Sequence, residues 1–475
     1  MPQVISSDVD ALRAAVIGQV VLPGDPAYDE ARRLWNGWFD QRPAVVVRCT
    51  CAADVSAAIG FARERGLEIA VRGGGHSTGG MSSVDGGLMI DLSPLDDVEV
   101  DAPSRRCRVG GGATLGTRDA ATQKFALATT AGIVSHTGVG GLTLGGGMGW
   151  LTRKHGLSLD NLVSAEMVTA DGRIRVVSAD TDPDLFWAVR GGGGNFGVVT
   201  SFEFALHPVG PMVDFGFFHW PLEQLPAVFR LVHDLFATMS TDLNLIVAAA
   251  SGPPLPFVPV ERHGTPGATV LLTGFDAEDE HAAVVARIRA ELPPVAEMVA
   301  PTPYLAVQQL LDESNHPGIR AYDKSTYVED FSDEAVQVIV DHLARKTAPG
   351  SALIAYRLDG AYAAVADDST AFSGRRVPCY GVFILGLSED AAGFPAEREW
   401  ARSLWSALQP HAMGLGSYIN GEAEHPEDRL RSSWGEAKYA RLAAIKHRYD
   451  PDNLFHRNAN VPPVPQPPQQ REPLG

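Results

Sequence analysis

The residues of this chain whose type and spacing speak most directly of chemistry are glycines. Four runs lie between residues 72 and 197: Arg72-Gly73-Gly74-Gly75-His76-Ser77, Thr137-Gly138-Val139-Gly140-Gly141, Leu144-Gly145-Gly146-Gly147-Met148-Gly149-Trp150, and the stretch RGGGGNFG from Arg190 to Gly197. Each falls between strand-like segments. Backbone without side chains lets consecutive N–H groups converge on one anion as a nest, and lets other groups approach closely. A dinucleotide needs both. Two common phosphate-binding motifs are excluded. No Gly-Lys-Ser or Gly-Lys-Thr follows a glycine loop, so the P-loop pattern is absent. GGGHSTGG does not open a helix with an acidic residue about 20 positions on in a βαβ unit, so the Rossmann fingerprint fails as well. The donors must come from loops that join strands.

The segments around these loops read as a mixed α+β region over the first 210 residues. Residues 1–40 form a helical lead-in, with Ser7 or Asp8 as its cap. PAVVV at 43–47 is a short β-rich run. DVSAAIGFARERGL is a helix, apolar at Val55, Ile59, Phe61 and Ala62, which Gly66 ends. The strand EIAVR then leads into the first glycine run. GGLMIDLSPL and RCRVGGGATLG supply further strands, and MVTADGRIRVVS is a hairpin around Asp171-Gly172. PDLFWAVRG is a short helix and FGVVTSFEFAL a strand. Beyond residue 210 the texture changes. VDFGFFHW, LNLIVAAAS, ATVLLTGF and CYGVFILGL read as strands. EDEHAAVVARIRAEL, DEAVQVIVDHLARK and AEREWARSLWSALQP read as helices. The expected result is an antiparallel sheet backed by helices. KYARLAAIKHRYDPDNLF is a helix stopped at Asp450-Pro451, and PPVPQPPQQREPLG is a Pro/Gln-rich tail expected to be disordered or extended. No repeat of 20–50 residues is present.

A chain of 475 residues is expected to hold two domains, and its 45% hydrophobic and 20% charged content is ordinary for a globular protein. The formal net charge of −18 disfavours nucleic-acid binding. Cys49, Cys51, Cys107 and Cys379 have neither zinc-knuckle nor dithiol spacing, so free thiols and no metal site are expected. The N-terminal residues lack a secretory pattern and no apolar run is long enough to span a bilayer. A soluble, cytoplasmic protein is the expectation, with oligomeric state open.

RGGGHS after a strand, TGVGGLTLGGGMGWLTRKHGLSLDNL, DLFWAVRGGGGNFGVVTSF and KYARLAAIKHRYDPDNLFHRNANV occur in this order from about residue 40 to 462. Together they resemble the berberine-bridge-enzyme-like FAD-linked oxidases, within the vanillyl-alcohol-oxidase or p-cresol-methylhydroxylase flavoprotein group. The resemblance implies an α+β fold in two parts. An FAD-binding domain of the p-cresol-methylhydroxylase type would span 1–210 and 440–475, with its core at about 38–210. A substrate domain would fill 211–439, with the flavin ring between the two. It also implies an FAD-dependent oxidoreductase that passes a hydride from a small organic substrate (an alcohol, a sugar or a natural-product intermediate) to FAD, with O2 as the acceptor that reoxidises it. The alternatives are an oxidative cyclase, desaturase or dehydrogenase on the same fold, and a flavin-binding protein without turnover.

Residue by residue, the resemblance assigns His76 as the point of covalent attachment to the 8α-methyl carbon of FAD. Neutral imidazole is a competent nucleophile for that bond. Arg72, Gly73, Gly74, Gly75 and Ser77 would contact the pyrophosphate through backbone. Many plant relatives carry a second link from a cysteine in AGxCPTxGVGG; Val134 stands at that position here, so a single link is expected. Thr137 matches a position that controls oxygen access, and Gly138, Gly141, Thr143, Gly145 and Val199 match positions lining the flavin. Asn458 and Asn460 belong to the terminal segment that returns to it. Ser417-Tyr418-Ile419-Asn420 resembles the family's YxN motif, with Tyr418 and Asn420 as the catalytic pair. In a strand both would face one side. Tyr418 as a general base needs its pKa depressed from about 10. Gly421 and Glu422 depart from the aromatic and acidic residues that follow YxN in relatives, which opens the substrate class. His136, Trp150, Arg153 and His155 near the flavin segments read as structural. Tyr356, Arg357, Tyr362 and Tyr380 are candidates for the substrate wall.

Overall fold

The structure, a computed structural model, describes residues 6–414 and 416–464. Most of the Pro/Gln-rich tail lies outside the described residues. The first element of the site is a small sheet in the order Gln19–Val21, Val45–Arg48, Leu88–Asp91, Ile69–Arg72, whose last three strands run parallel. Helix Ala52–Arg65 makes the crossover and ends at Gly66 in a left-handed conformation (φ 62°). The Asp54 carboxylate accepts hydrogen bonds from the Thr50, Ile17 and Gly18 amides, which pins the helix start to the neighbouring chain. Val55, Ile59 and Phe61 pack against Val45, Val47 and Ile69. Burial of each such side chain stabilises the fold by about 1.5–3 kcal/mol. The strand Ile69–Arg72 therefore delivers residues 73–77 at a fixed place.

A second, antiparallel sheet takes the order Val98–Asp101, Arg106–Gly110, Val198–Ala205, Leu162–Val168, Ile174–Ser178. The hairpin at Asp171-Gly172 forms as expected, with Gly172 at φ 79°. The third sheet has seven antiparallel strands in the order Ala296–Pro303, Met212–Pro221, Pro266–Gly274, Leu243–Ser251, Ala352–Leu358, Cys379–Ser388, Arg320–Val328. Helices Leu225–Phe236, Glu278–Glu291, Asp333–Leu343 and Phe394–Leu408 cover one face, where Val382 and Ile384 join Val232, Ile288, Ile339 and Leu404 in one core. Because strand side chains alternate, Phe383, Leu385 and Leu387 point to the opposite face, toward the glycine loops. The mix of helices with largely antiparallel sheets is the expected α+β architecture. Strand Arg320–Val328 carries too many polar residues to be legible beforehand, and Ala296–Pro303 ends in Pro301 and Pro303, which argue against a strand.

Helix Glu427–Tyr449 is longer than its sequence pattern and kinks at Gly435 (φ 72°, ψ 157°). At its end the Lys446 ammonium, fully buried, donates to Asp450 Oδ2 (2.7 Å), the Asn195 carbonyl (2.7 Å) and the Phe455 carbonyl (2.8 Å). Asp450 in turn accepts from the Leu454 and Phe455 amides. Asn195, in the fourth glycine run, bonds the backbone of Ala459 and Val461. These bonds bring residues 455–461 back against the glycine loops.

Candidate active site

A cavity of about 410 Å³ lies between the glycine loops and the open face of the seven-stranded sheet. One side is backbone: Gly73, Gly74, Gly75, Gly138, Gly141, Val199, Gly193 and Gly194 border it. The first two runs touch there. A Cβ on Gly74 would run into the Gly138 amide, and one on Gly138 into the Gly74 amide, so neither position admits a side chain. Other glycines serve protein packing instead. A Cβ on Gly145 would overlap the Asn420 side-chain amide, and one on Gly191 (φ 120°) would overlap the Phe372 backbone.

His76 borders the cavity with its ring stacked on Trp35, centroids 4.1 Å apart and planes at 15°. Its Nε2 lies 3.1 Å from His136 Nδ1, a hydrogen bond in which one ring donates. Burial, and next the adjacent His136, push the His76 pKa down to about 3, so the ring is neutral. His136, read from sequence as structural, is thus in direct contact with the residue assigned to FAD attachment.

Tyr418 and Asn420 also border the cavity. They do not lie in a strand. Tyr418 is extended and Ile419–Gly421 forms a single 3-10 turn. The two side chains converge nonetheless, because the Asn420 amide donates to the Tyr418 hydroxyl (3.0 Å) and to the Leu142 carbonyl (3.0 Å). The Gly147 amide donates to the same hydroxyl at 2.8 Å. The expected depression of the Tyr418 pKa is not found. Burial pushes it up to about 12 and outweighs the lowering by those two donors. No cation stands within hydrogen-bond reach of the phenol among the described residues.

Ser77, Thr137 and Asn458 border the cavity as well. The Asn458 side-chain oxygen is buried without a partner among the described residues, an acceptor left open on the wall. Four sequence candidates do not reach the cavity. Arg72 turns its guanidinium to the Ala31 carbonyl (2.5 Å) and toward Asp91. Thr143 and Gly145 lie inside the short helix Val139–Gly145, where Gly145 gives room to Asn420. Asn460 is held behind the wall, its chain fixed by Asn195. Of the aromatic candidates, Tyr356 borders the cavity; Tyr362 and Tyr380 are buried elsewhere, and Arg357 stacks on Tyr380 and pairs with Asp359.

Sequence reasoning missed Asp323, Glu422, His425 and Arg457, which all border the cavity. Arg457 adjoins Asn458 in the quoted segment HRNANV and could have been found there. Asp323 could not, because nothing marks RAYDKSTYV as a cavity strand. Burial pushes its carboxyl up to about 7, against the Thr78 hydroxyl that donates to it at 2.8 Å. Glu422 is raised by burial and held by Lys324 and Arg429.

A family profile described as FAD binding domain matches residues 43–178, and one described as berberine and berberine like matches residues 417–462. The chain is 32% identical over 471 residues to (R)-6-hydroxynicotine oxidase of Paenarthrobacter nicotinovorans, covering 94% of this chain and 97% of that one. It belongs to the berberine-bridge-enzyme-like FAD-linked oxidoreductases. The solved 6-hydroxy-D-nicotine oxidase of Arthrobacter nicotinovorans superposes with a TM-score of 0.85 at 30% identity, covering 94% of this chain and 98% of that one. A glucooligosaccharide oxidase from Acremonium strictum, described with 6-S-cysteinyl, 8α-N1-histidyl FAD, superposes at 0.83 with 25% identity over 97% of this chain and all of that one. The member described here is therefore an FAD-dependent oxidoreductase. The glycine wall, the neutral His76 and the open acceptor on Asn458 fit that cofactor. No helix among the described residues is long and apolar enough to cross a membrane.

Proposed function

We propose that this protein is an oxidase holding FAD covalently through His76 alone, and that it removes a hydride from a small organic substrate, with O2 as the final electron acceptor. The observation that carries the reading is His76 itself: a neutral imidazole on the wall of a glycine-lined cavity, fixed by the Trp35 stack and the His136 hydrogen bond. A neutral ring keeps a nitrogen lone pair free to form the bond to the flavin methyl group. Single attachment is supported by Val134, which stands on the cavity wall where doubly linked relatives carry cysteine, and by the absence of all four cysteines from that wall.

When bound, FAD supplies the two-electron acceptor. The chain supplies position and proton handling. Gly73–Ser77 and Gly138–Gly141 give close backbone approach, and Asn458 offers an acceptor. Asn420 and the Gly147 amide hold the Tyr418 oxygen from two directions, which leaves its own hydrogen to be donated to a substrate atom. As a phenol with a raised pKa, Tyr418 orients the substrate and stays protonated at neutral pH. We further propose that the cavity marks the junction of an FAD-binding part, 1–210 with 440–475, and a substrate part, 211–439; residues from both ranges border it.

The test is intact-protein mass spectrometry of the yellow protein before and after denaturation. One FAD should survive denaturation on the peptide holding His76, and His76→Ala should release it to acid precipitation. Retention of FAD in that variant would place the linkage elsewhere. Peroxide formation with a substrate panel tests the oxidase step separately.

A further inference from the structure

The sheet wall of the cavity is almost wholly apolar. Ile354, Tyr356, Phe383, Leu385 and Leu387 form it. Among them stands one carboxyl group, Asp323, opposite Leu385 in the ladder between Arg320–Val328 and Cys379–Ser388. Its Oδ2 accepts from the Thr78 hydroxyl and keeps a second lone pair, while Oδ1 is buried without a partner among the described residues. No cation among the described residues offsets it. Lys324, the next residue, lies on the other side of the strand and pairs with Glu422 and Glu424. The other titratable groups nearby are already settled. Glu422 is paired with Lys324 and Arg429, Arg457 is paired with Glu68, and His425 is held neutral, its pKa pushed down to about 4 by burial and by Lys324 and Arg429.

A buried carboxyl group without a counter-ion either keeps its proton or waits for a cation. A sugar, with a hydroxyl on most carbons, would leave its polar groups unpaired against this wall. An apolar molecule with one ammonium group places its charge against Asp323 and its carbon skeleton against the apolar wall, and the rings of Tyr356 and Phe383 add favourable faces for a cation. We infer that Asp323 is the counter-ion of a subsite for a cationic amine, so that the substrate is a compact apolar amine oxidised at its C–N bond. The inference rests on the oxidoreductase reading and names the substrate class of the same cavity. In the reaction the ammonium gives one proton to the Asp323 carboxylate. The hydrogen on the neighbouring carbon would leave with its electron pair, for which FAD, when bound, would supply the acceptor. The nitrogen lone pair closes the new carbon–nitrogen double bond, and the amine becomes an iminium cation.

The experiment uses the FAD-loaded full chain and isothermal calorimetry at pH 8, with benzylamine and its neutral analogue benzyl alcohol as probes. Benzylamine is expected to bind at least ten times more tightly. The preference should vanish in Asp323→Asn and persist in Asp323→Glu, which also controls for folding. In the unaltered protein benzylamine binding should weaken about tenfold per pH unit below about 7, as Asp323 takes up a proton. Equal binding of the two probes, no binding of benzylamine, or a preference that survives in Asp323→Asn overturns the subsite. Peroxide and flavin bleaching, read in parallel, separate the two ideas. An amine that binds but never reduces the flavin upholds the subsite and counts against the oxidase. An alcohol that is oxidised while benzylamine does not bind does the reverse.

Discussion

Replacing Tyr418 with Phe removes one oxygen and nothing else from a ring that is only 4% exposed. That oxygen is the acceptor for two buried donors, the Gly147 amide at 2.8 Å and the Asn420 amide at 3.0 Å. Leaving a buried donor unpaired costs about 1–3 kcal/mol. Asn420 keeps its second bond to the Leu142 carbonyl, so its loss falls at the low end. The Gly147 amide has no second acceptor among the described residues, so the sum is about 2–4 kcal/mol. The variant should unfold at lower urea, with flavin still attached to His76, because the attachment site does not involve Tyr418. Stopped-flow reduction of the flavin by whichever panel substrate works should slow by roughly 10²-fold, the scale of a lost hydrogen-bond donor at the reacting atoms. The pH profile decides the role. With its pKa pushed up to about 12, Tyr418 is un-ionised at neutral pH and well above it, so any kinetic limb in the neutral range should survive in Tyr418→Phe. Disappearance of such a limb in this variant would show an ionising Tyr418 and refute the reasoning. An unchanged reduction rate would remove Tyr418 from the chemistry altogether.

Lys446→Met strands the buried Asp450 carboxylate and two carbonyls, and breaking a buried pair of this kind costs about 3–5 kcal/mol; thermal unfolding followed by flavin fluorescence should show it, with partial recovery in Lys446→Met/Asp450→Asn, and a wild-type transition would contradict the role assigned to the network. Gly145→Ala should slow flavin reduction through displacement of Asn420, with the flavin still attached to His76, since the new methyl overlaps that side chain; unaltered kinetics would mean the wall can shift freely. Asp323 has a folded pKa of about 7, raised above its unfolded value, so the folded state binds more protons between about pH 4 and 7. Its contribution is full below about pH 4 and lost as pH rises through 7. Asp323→Asn should therefore gain stability relative to the unaltered protein across that window, by up to about 4 kcal/mol, and a pH-independent difference in unfolding midpoint would overturn this.

Local order was the part that sequence determined. The glycine runs, the helix stop at Gly66, the Asp171-Gly172 hairpin and the apolar strands each follow from backbone freedom or from period, properties a residue carries with it. The ordered run of motifs carried the family and the cofactor, and it placed His76, the loops of the first two glycine runs, and the Tyr418–Asn420 pair at one cavity. Tertiary structure decided everything that depends on which atoms meet. Gly145 and Arg190–Gly197 look like ligand loops, yet Gly145 and Gly191 are small because Asn420 and the Phe372 backbone press on them. Tyr418 and Asn420 meet through a 3-10 turn and a shared hydrogen bond rather than through strand alternation. Asp323 has no signature at all: its position depends on a seven-strand register that pairs it with Leu385, and its charge state on being buried with no cation among the described residues facing it. Solvation and partner geometry are set by residues tens to hundreds of positions away, so a pKa, a pocket wall and a counter-ion become readable only once the chain has closed around them.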